Sequence, residues 1–143
     1  LYVLRNPIDR LWSHIKFHYQ HGGQQEALAQ LQSQASATED QFLEHSLYAK
    51  HLGRILEVVP RENVHLVYFD DIVARPDRVL SDIENFLQLP HHDYLPGKLK
   101  RRINPSTDMQ RPHWVEQAYA PAIRQDQARL LRLDVHVPEA WAV

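Results

Sequence analysis

The sequence contains no cysteine, and this absence removes several kinds of chemistry at once. Disulfide frameworks, thiolate nucleophiles and cysteine-ligated zinc sites are all excluded. A chain without cysteine is also typical of a reducing compartment, which favours a cytoplasmic location. Any catalytic or binding chemistry must come from other residue types.

Long apolar runs and charge of one sign are also lacking. No apolar run in the 143 residues approaches the roughly 18 residues of a membrane-spanning helix. The 16 Lys and Arg residues oppose 18 Asp and Glu residues, and the net charge of -2 argues against a general nucleic-acid or membrane-surface binder. What is present, 43% hydrophobic and 24% charged residues, is typical of one globular domain over residues 1–143.

The start of the chain has the pattern of an α/β unit. Residues 1–4 are an apolar run typical of a buried strand, and no initiator methionine precedes them, so we expect the later part of a longer protein. The Arg-Asn-Pro sequence of residues 5–7 is a turn signal, and apolar residues then recur at helical spacing up to Tyr19. A strand, a tight turn and a helix open an α/β fold.

The remaining pattern predicts three helices, one strand, one long loop and one insertion. The Gln-, Ser- and Ala-rich residues 22–41 are expected to be a mobile insertion. Helices are predicted for residues 42–58, 76–87 and 113–133, the last with Pro121 as a candidate break, a strand parallel to residues 1–4 for 64–69, and a loop for 89–111. Trp141 is expected to pack onto the body of the domain.

Arg5 and Ser13 form the first pattern that can carry chemistry. Arg5 follows the first predicted strand at its carboxyl end, where open α/β sheets bind ligands, and Ser13 lies in the second turn of the helix. A guanidinium fork matches phosphate oxygens, a hydroxyl adds a hydrogen bond, and a helix N-terminus favours negative charge. The pattern predicts a phosphate pocket. The alternative is that Arg5 pairs with a surface carboxylate and Ser13 faces solvent.

Residues 4–14, with the sequence LRNPIDRLWSH, resemble the 3′-phosphate-binding motif of sulfotransferases that use 3′-phosphoadenosine 5′-phosphosulfate (PAPS). In that family an Arg and a Ser eight positions later hold the 3′-phosphate, and Arg5 and Ser13 have this spacing. The resemblance continues through residues 48–52 and 63–72. It implies a P-loop-NTPase-like, three-layer α/β/α fold with a parallel sheet, incomplete because at least the first βα unit is absent. It also implies transfer of a sulfuryl group from PAPS to a hydroxyl or amine acceptor, without a metal.

Four cations lie within five residues of the predicted loop, which creates a local positive field. The resemblance implies that Lys100, Arg101 and Asn104 contact the nucleotide, with Lys98 or Arg102 as alternatives if the register differs. A solvated basic loop is the structural alternative for each of them.

The resemblance also bears on Tyr48 and on the catalytic residues. The family often places an aromatic ring against the adenine, which gives Tyr48 that role, with a core tyrosine as the alternative. The family's base and its 5′-phosphosulfate loop lie upstream of the Arg/Ser motif, and no G-x-x-x-x-G-K-[ST] loop occurs here. The catalytic residues are therefore unknown. The acceptor is a glycan, a lipid, a small alcohol or phenol, or a protein tyrosine.

Other interpretations of the sequence compete with this one. His14, His18 and His21 share a helical face and could bind a metal, although solvated histidines are the default interpretation. Asp70 and Asp71 invite a magnesium or acid/base role, but pairing with Arg75 or a helix N-terminus is favoured. For the whole protein, the alternatives are a nucleotide or nucleoside kinase and a degenerate, non-catalytic anion-binding module. Upstream sequence would discriminate between them.

Overall fold

A computed structural model of the chain describes residues 1–19, 29, 32, 41–99 and 109–143. Contacts divide the chain into two compact units, unit 1 with Leu1–Arg5 and Val58–Pro105, and unit 2 with Asn6–Glu57 and Ser106–Val143. Apart from residues 29, 32 and 41, the predicted insertion lies outside the described residues. Within the described ranges no helix has the length and hydropathy needed to cross a membrane.

The described elements are two short parallel strands and seven helices. In chain order they are β1 Tyr2–Leu4, α1 Pro7–Tyr19, α2 Gln41–Glu44, α3 Tyr48–Leu56, β2 Leu66–Tyr68, α4 Phe69–Ala74, α5 Pro76–Phe86, α6 Pro96–Leu99 and α7 His113–Arg132. Short 3-10 turns occur at Arg61–Asn63 and Glu139–Trp141.

Unit 1 contains the sheet. Strands β1 and β2 pair in parallel with Leu4 opposite Tyr68, which confirms the predicted pairing. The predicted strand ends early because Phe69 already begins α4, whose first turn carries Asp70 and Asp71, a position where helices favour negative charge. Asp71 accepts a hydrogen bond from the Arg75 guanidinium, so the structural interpretation of that carboxylate is confirmed.

Helix α5 ends in a Schellman motif that places a residue with a side chain where glycine is favoured. Gln88 has a φ of 55°, and its N–H donates to the Asn85 carbonyl at 3.2 Å. The Leu89 N–H donates to the Glu84 carbonyl at 2.9 Å, which completes the motif. Leu87 is 46% exposed because it follows the last helical turn.

Gln88→Gly is expected to raise the free energy of unfolding by about 0.5–1 kcal/mol, because glycine occupies the left-handed region without the penalty of a Cβ. Urea denaturation followed by circular dichroism measures the change. The matched control is Gln117→Gly in the interior of α7, which should lower stability by about 1 kcal/mol because glycine is a poor helix former. A lower stability for Gln88→Gly would contradict the expectation.

Unit 2 is built around an apolar core between α1, α2 and α7. Its buried residues are Ile8, Leu11, Trp12, Ile15, Phe42, Leu43, Val115, Tyr119 and Ile123. The α1 residues in this set recur at helical spacing, which confirms the predicted helix and its inward face. Trp141 is fully buried, as predicted.

Of two helix predictions in unit 2, one is wrong and one is confirmed. The helix predicted over 42–58 is two helices, because the chain turns after Glu44 and the Ser46 N–H donates back to the Leu43 carbonyl at 2.7 Å. The helix predicted over 113–133 is confirmed as α7, which continues through Pro121 without the candidate break. Buried residues on both sides of this proline, Ala120 and Ile123, offset by packing the hydrogen bond that a proline removes.

Candidate functional site

The turn that joins β1 to α1 is shaped by Asn6 and Pro7. The Asn6 Oδ1 accepts hydrogen bonds from the N–H groups of Ile8 at 3.1 Å and Asp9 at 3.4 Å, so the side chain caps α1. Pro7 occupies the first helical position, where its missing N–H costs nothing. This strand, turn and helix is the arrangement that the sequence predicts around the phosphate motif.

Arg5 lies in unit 1 at the carboxyl edge of the two-stranded sheet. Leu4 and Tyr68 are partners in the ladder, so the residues that follow them, Arg5 and Phe69, are brought together. The Arg5 guanidinium carbon lies over the Phe69 ring, 4.6 Å from its centroid, in a cation-π contact. A guanidinium donates its hydrogen bonds within its own plane, so a contact with an aromatic ring is compatible with binding an anion.

Ser13 lies in unit 2, half-buried in the second turn of α1. Two neighbouring residues of α1, Trp12 and Asp9, contact the segment that precedes α7. The Trp12 Nε1–H donates to the Met109 carbonyl at 3.1 Å, and the Arg111 guanidinium pairs with the Asp9 carboxylate. The ion pair with Arg111 lies on the helix face that Asp9 shares with Ser13, four positions later.

Tyr48 is the first residue of α3 and is only 3% exposed. Its ring lies 6.5 Å from the ring of Trp141, centroid to centroid, within unit 2. These surroundings are those of a core tyrosine, the alternative role given for Tyr48 above. An adenine contact by Tyr48 stays a prediction.

Asp126 of α7 is a buried carboxylate that the sequence analysis missed. It caps α3 from a distance, because its Oδ2 accepts from the Ala49 N–H at 2.9 Å and its Oδ1 from the Lys50 N–H at 3.3 Å. Burial raises the pKa of Asp126, and the two amide hydrogen bonds oppose that change. The available signal was an acidic residue within the apolar stripe of α7, between Ile123 and Leu130.

The basic loop is described only in part. Lys98, in the short helix α6, is exposed. Lys100, Arg101 and Asn104 lie outside the described residues, and so does Arg102.

The alternative of a metal site formed by His14, His18 and His21 lies only partly within the described residues. His14 and His18 pack edge-on against Phe42, with ring centroids 5.1 and 5.4 Å from it. His21 is outside the described ranges. Among the residues that the structure describes, no group of three or more His, Asp or Glu side chains is arranged to hold a metal ion.

Comparison with known proteins finds sulfotransferases, the family that the motif around Arg5 and Ser13 resembles. The sequence model of a family described as the sulfotransferase domain matches residues 1–111. A segment of 61 residues, 43% of the chain, is 40% identical to the membrane-associated sulfotransferase kil1 of Dictyostelium discoideum and corresponds to 12% of that protein.

A solved structure shares the fold. The crystal structure of a sulfotransferase from Alicyclobacillus acidocaldarius superposes with a TM-score of 0.64 and 23% sequence identity, over 97% of this chain and 55% of that one. The chain therefore spans about half the length of this structural neighbour. The observed strands and helices are part of its α/β architecture.

Proposed function

This chain belongs to the sulfotransferase domain family, and from that membership we propose that the protein transfers a sulfuryl group from PAPS to a hydroxyl or amine acceptor. The acceptor atom attacks sulfur, the bond from sulfur to the 5′-phosphate oxygen breaks, and adenosine 3′,5′-bisphosphate leaves. A base removes the acceptor proton. The acceptor classes in question are glycans, lipids, small alcohols or phenols, and protein tyrosines.

The observation that carries the proposal is the motif that places Arg5 directly after β1 and Ser13 in the second turn of α1. Arg5 supplies a charged, planar donor and Ser13 a neutral one, and both residue types suit a phosphate dianion. We assign the 3′-phosphate of the nucleotide to these two residues. The cation-π contact with Phe69 supports this role because it restricts the Arg5 side chain at the carboxyl edge of the sheet.

The remaining nucleotide contacts are proposed from the resemblance alone. Lys100, Arg101 and Asn104 are assigned to the donor nucleotide, and Tyr48 to its adenine. No residue of the chain is proposed as the base, because in the family the base and the 5′-phosphosulfate loop precede the Arg/Ser motif. Residues 1–143 by themselves are accordingly proposed to bind the 3′-phosphate side weakly and to have no turnover.

Calorimetric titration with adenosine 3′,5′-bisphosphate tests the proposal, with 5′-AMP as the ligand that lacks only the 3′-phosphate. The longest expressed form of the protein that contains this segment is expected to bind the bisphosphate at least about tenfold more tightly, because a charged hydrogen bond contributes about 1.5–3 kcal/mol. Equal affinity for the two ligands would overturn the PAPS assignment and favour a non-catalytic module.

A further inference from the structure

Arg111 is a cation that the donor assignments above do not use, and it lies against the helix that carries Ser13. Its Nη1 donates to the Asp9 carboxylate in the first turn of α1, and its Nη2 lies 3.8 Å from Oε2 of Glu116 in α7. The Asp9 side chain is 49% exposed and that of Arg111 is 29% exposed, so the ion pair is accessible to solvent.

The backbone on both sides of Arg111 is held by contacts other than this ion pair. Met109 packs against the core of unit 2, and its carbonyl accepts from Trp12 Nε1 at 3.1 Å. Pro112 precedes the first residue of α7, and its carbonyl accepts from the Val115 N–H at 3.1 Å. Because the segment is attached to α1 without the Arg111 side chain, removal of that side chain changes the charge of this surface more than its fold.

The charge of Asp9 opposes an anion at Ser13. The two residues are four positions apart on α1, which places their Cβ atoms about 5–6 Å from each other on one helix face. A carboxylate at that distance repels a phosphate dianion and weakens the attraction that a helix N-terminus offers to anions. Among the described residues, Arg111 is the cation that pairs with Asp9.

We propose that Arg111 is a positioning residue of the donor site that acts through Asp9. It holds the Asp9 carboxylate in a neutral ion pair beside Ser13, and so removes the repulsion that the 3′-phosphate would otherwise meet there. The inference rests on the proposed function, because it takes the anion at Ser13 to be the 3′-phosphate. It adds to that function the reason why a carboxylate is tolerated one helical turn from the phosphate.

The effect of Asp9→Asn separates this role from a structural one. Asparagine keeps the shape and one acceptor oxygen but carries no charge. If the ion pair only held the fold, Asp9→Asn and Arg111→Ala would both weaken nucleotide binding. Charge compensation predicts opposite results, because Arg111→Ala leaves the carboxylate unpaired whereas Asp9→Asn removes it. The double variant lacks both charges and should bind like the wild type.

The affinities for adenosine 3′,5′-bisphosphate and for 5′-AMP are measured by calorimetry on the longest expressed form of the protein that contains this segment. Arg111→Ala is expected to weaken binding of the bisphosphate by about three- to tenfold, as one uncompensated charge near a dianion in solvent would. Binding of 5′-AMP should change by less than about twofold, because the 3′-phosphate is absent. Asp9→Asn should bind the bisphosphate at least as tightly as the wild type does.

Two further measurements separate charge from other effects of the Arg111 side chain. Arg111→Lys keeps the charge and should bind the bisphosphate within about twofold of the wild type, because only Nη1 of Arg111 contacts Asp9. The loss of affinity in Arg111→Ala should shrink as the salt concentration rises, because salt screens the charge of Asp9. The matched control is Arg132→Ala, which removes an exposed cation of α7 in the same unit and should match the wild type.

Weaker binding of the bisphosphate in Asp9→Asn would overturn the inference and indicate a structural ion pair. A double variant as weak as Arg111→Ala would also overturn it and indicate a guanidinium that contacts the phosphate directly. The same conclusion against the inference follows if Arg111→Ala melts earlier but binds normally, or if Arg111→Lys is as weak as Arg111→Ala. If Arg111→Ala does not fold, Asp9→Asn and Arg111→Lys still decide.

Failure of the proposed function gives a different result. A wild type that binds the bisphosphate no better than 5′-AMP refutes the proposed function itself. A wild type that prefers the bisphosphate, together with weaker binding in Asp9→Asn, refutes only the role of Arg111.

Discussion

Arg5→Ala is expected to weaken binding of adenosine 3′,5′-bisphosphate by about 30-fold or more and to leave binding of 5′-AMP nearly unchanged. A guanidinium that donates two charged hydrogen bonds to one phosphate contributes more than a single charged hydrogen bond, which is worth about 1.5–3 kcal/mol. Arg5→Lys keeps the charge and loses the planar fork, so its affinity for the bisphosphate should lie between those of the wild type and Arg5→Ala. Ser13→Ala removes a neutral donor and should cost about fivefold. Calorimetry with both ligands measures each effect.

The matched control for Arg5 is Arg78→Ala. Arg78 is an exposed cation of the same unit, paired with Asp82 at 4.0 Å. Its removal changes the net charge by the same amount and should alter the affinity less than twofold, because exposed charges are screened by solvent. A similar loss of affinity in Arg5→Ala and Arg78→Ala would mean that the ligand responds to the overall charge of the protein and does not bind a pocket at Arg5.

Asp126→Ala is expected to lower the free energy of unfolding by about 3 kcal/mol. The variant leaves the N–H groups of Ala49 and Lys50 without their acceptor, in a place that water does not reach easily. It also opens a small space in the core beneath α3. Urea denaturation followed by circular dichroism measures the loss. Glu116→Ala, which removes a half-exposed carboxylate from the same helix, should cost less than about 1 kcal/mol.

The pH dependence of stability gives a second test of Asp126. Because burial raises its pKa in the folded chain, the folded state holds this proton more tightly than the unfolded state does. The contribution of this group to stability is therefore complete below its ordinary pKa of 3.8 and declines as the pH rises through the folded value. Asp126→Asn should remove that decline. An identical pH profile in the variant would contradict the assignment.

The parts of the fold that the sequence predicts well are those with a local cause. Residues 2–4 and 66–68 are short apolar runs, and their parallel pairing follows from the α/β order of elements. Helix α1 has a proline at its start and an apolar stripe along its length. The motif with Arg5 and Ser13 could be identified for the same reason, because its spacing is a property of one stretch of chain.

The parts that were missed depend on residues far apart in the chain. Helix α3 begins at Tyr48 because Asp126, 77 positions beyond Ala49, supplies its cap, and nothing local predicts that start. Glu84 lies in a helix where a charged residue is normally assigned to solvent, and its partners come from the next loop. The contact of Arg5 with Phe69 depends on strand register, which only the paired sheet determines.

The interleaving of the two units has a consequence for synthesis of the protein on the ribosome. Unit 2 combines residues 6–57 with residues 106–143, so α1 and α2 are synthesised well before α7, the third helix of their common core. The Asn6 amide, which caps the first helix, donates to the Ala140 carbonyl 134 residues later. Unit 2 therefore completes its core only after Trp141 has left the exit tunnel. Until then the apolar face of α1 lacks its contacts with α7, and a partly covered apolar face favours chaperone binding or aggregation.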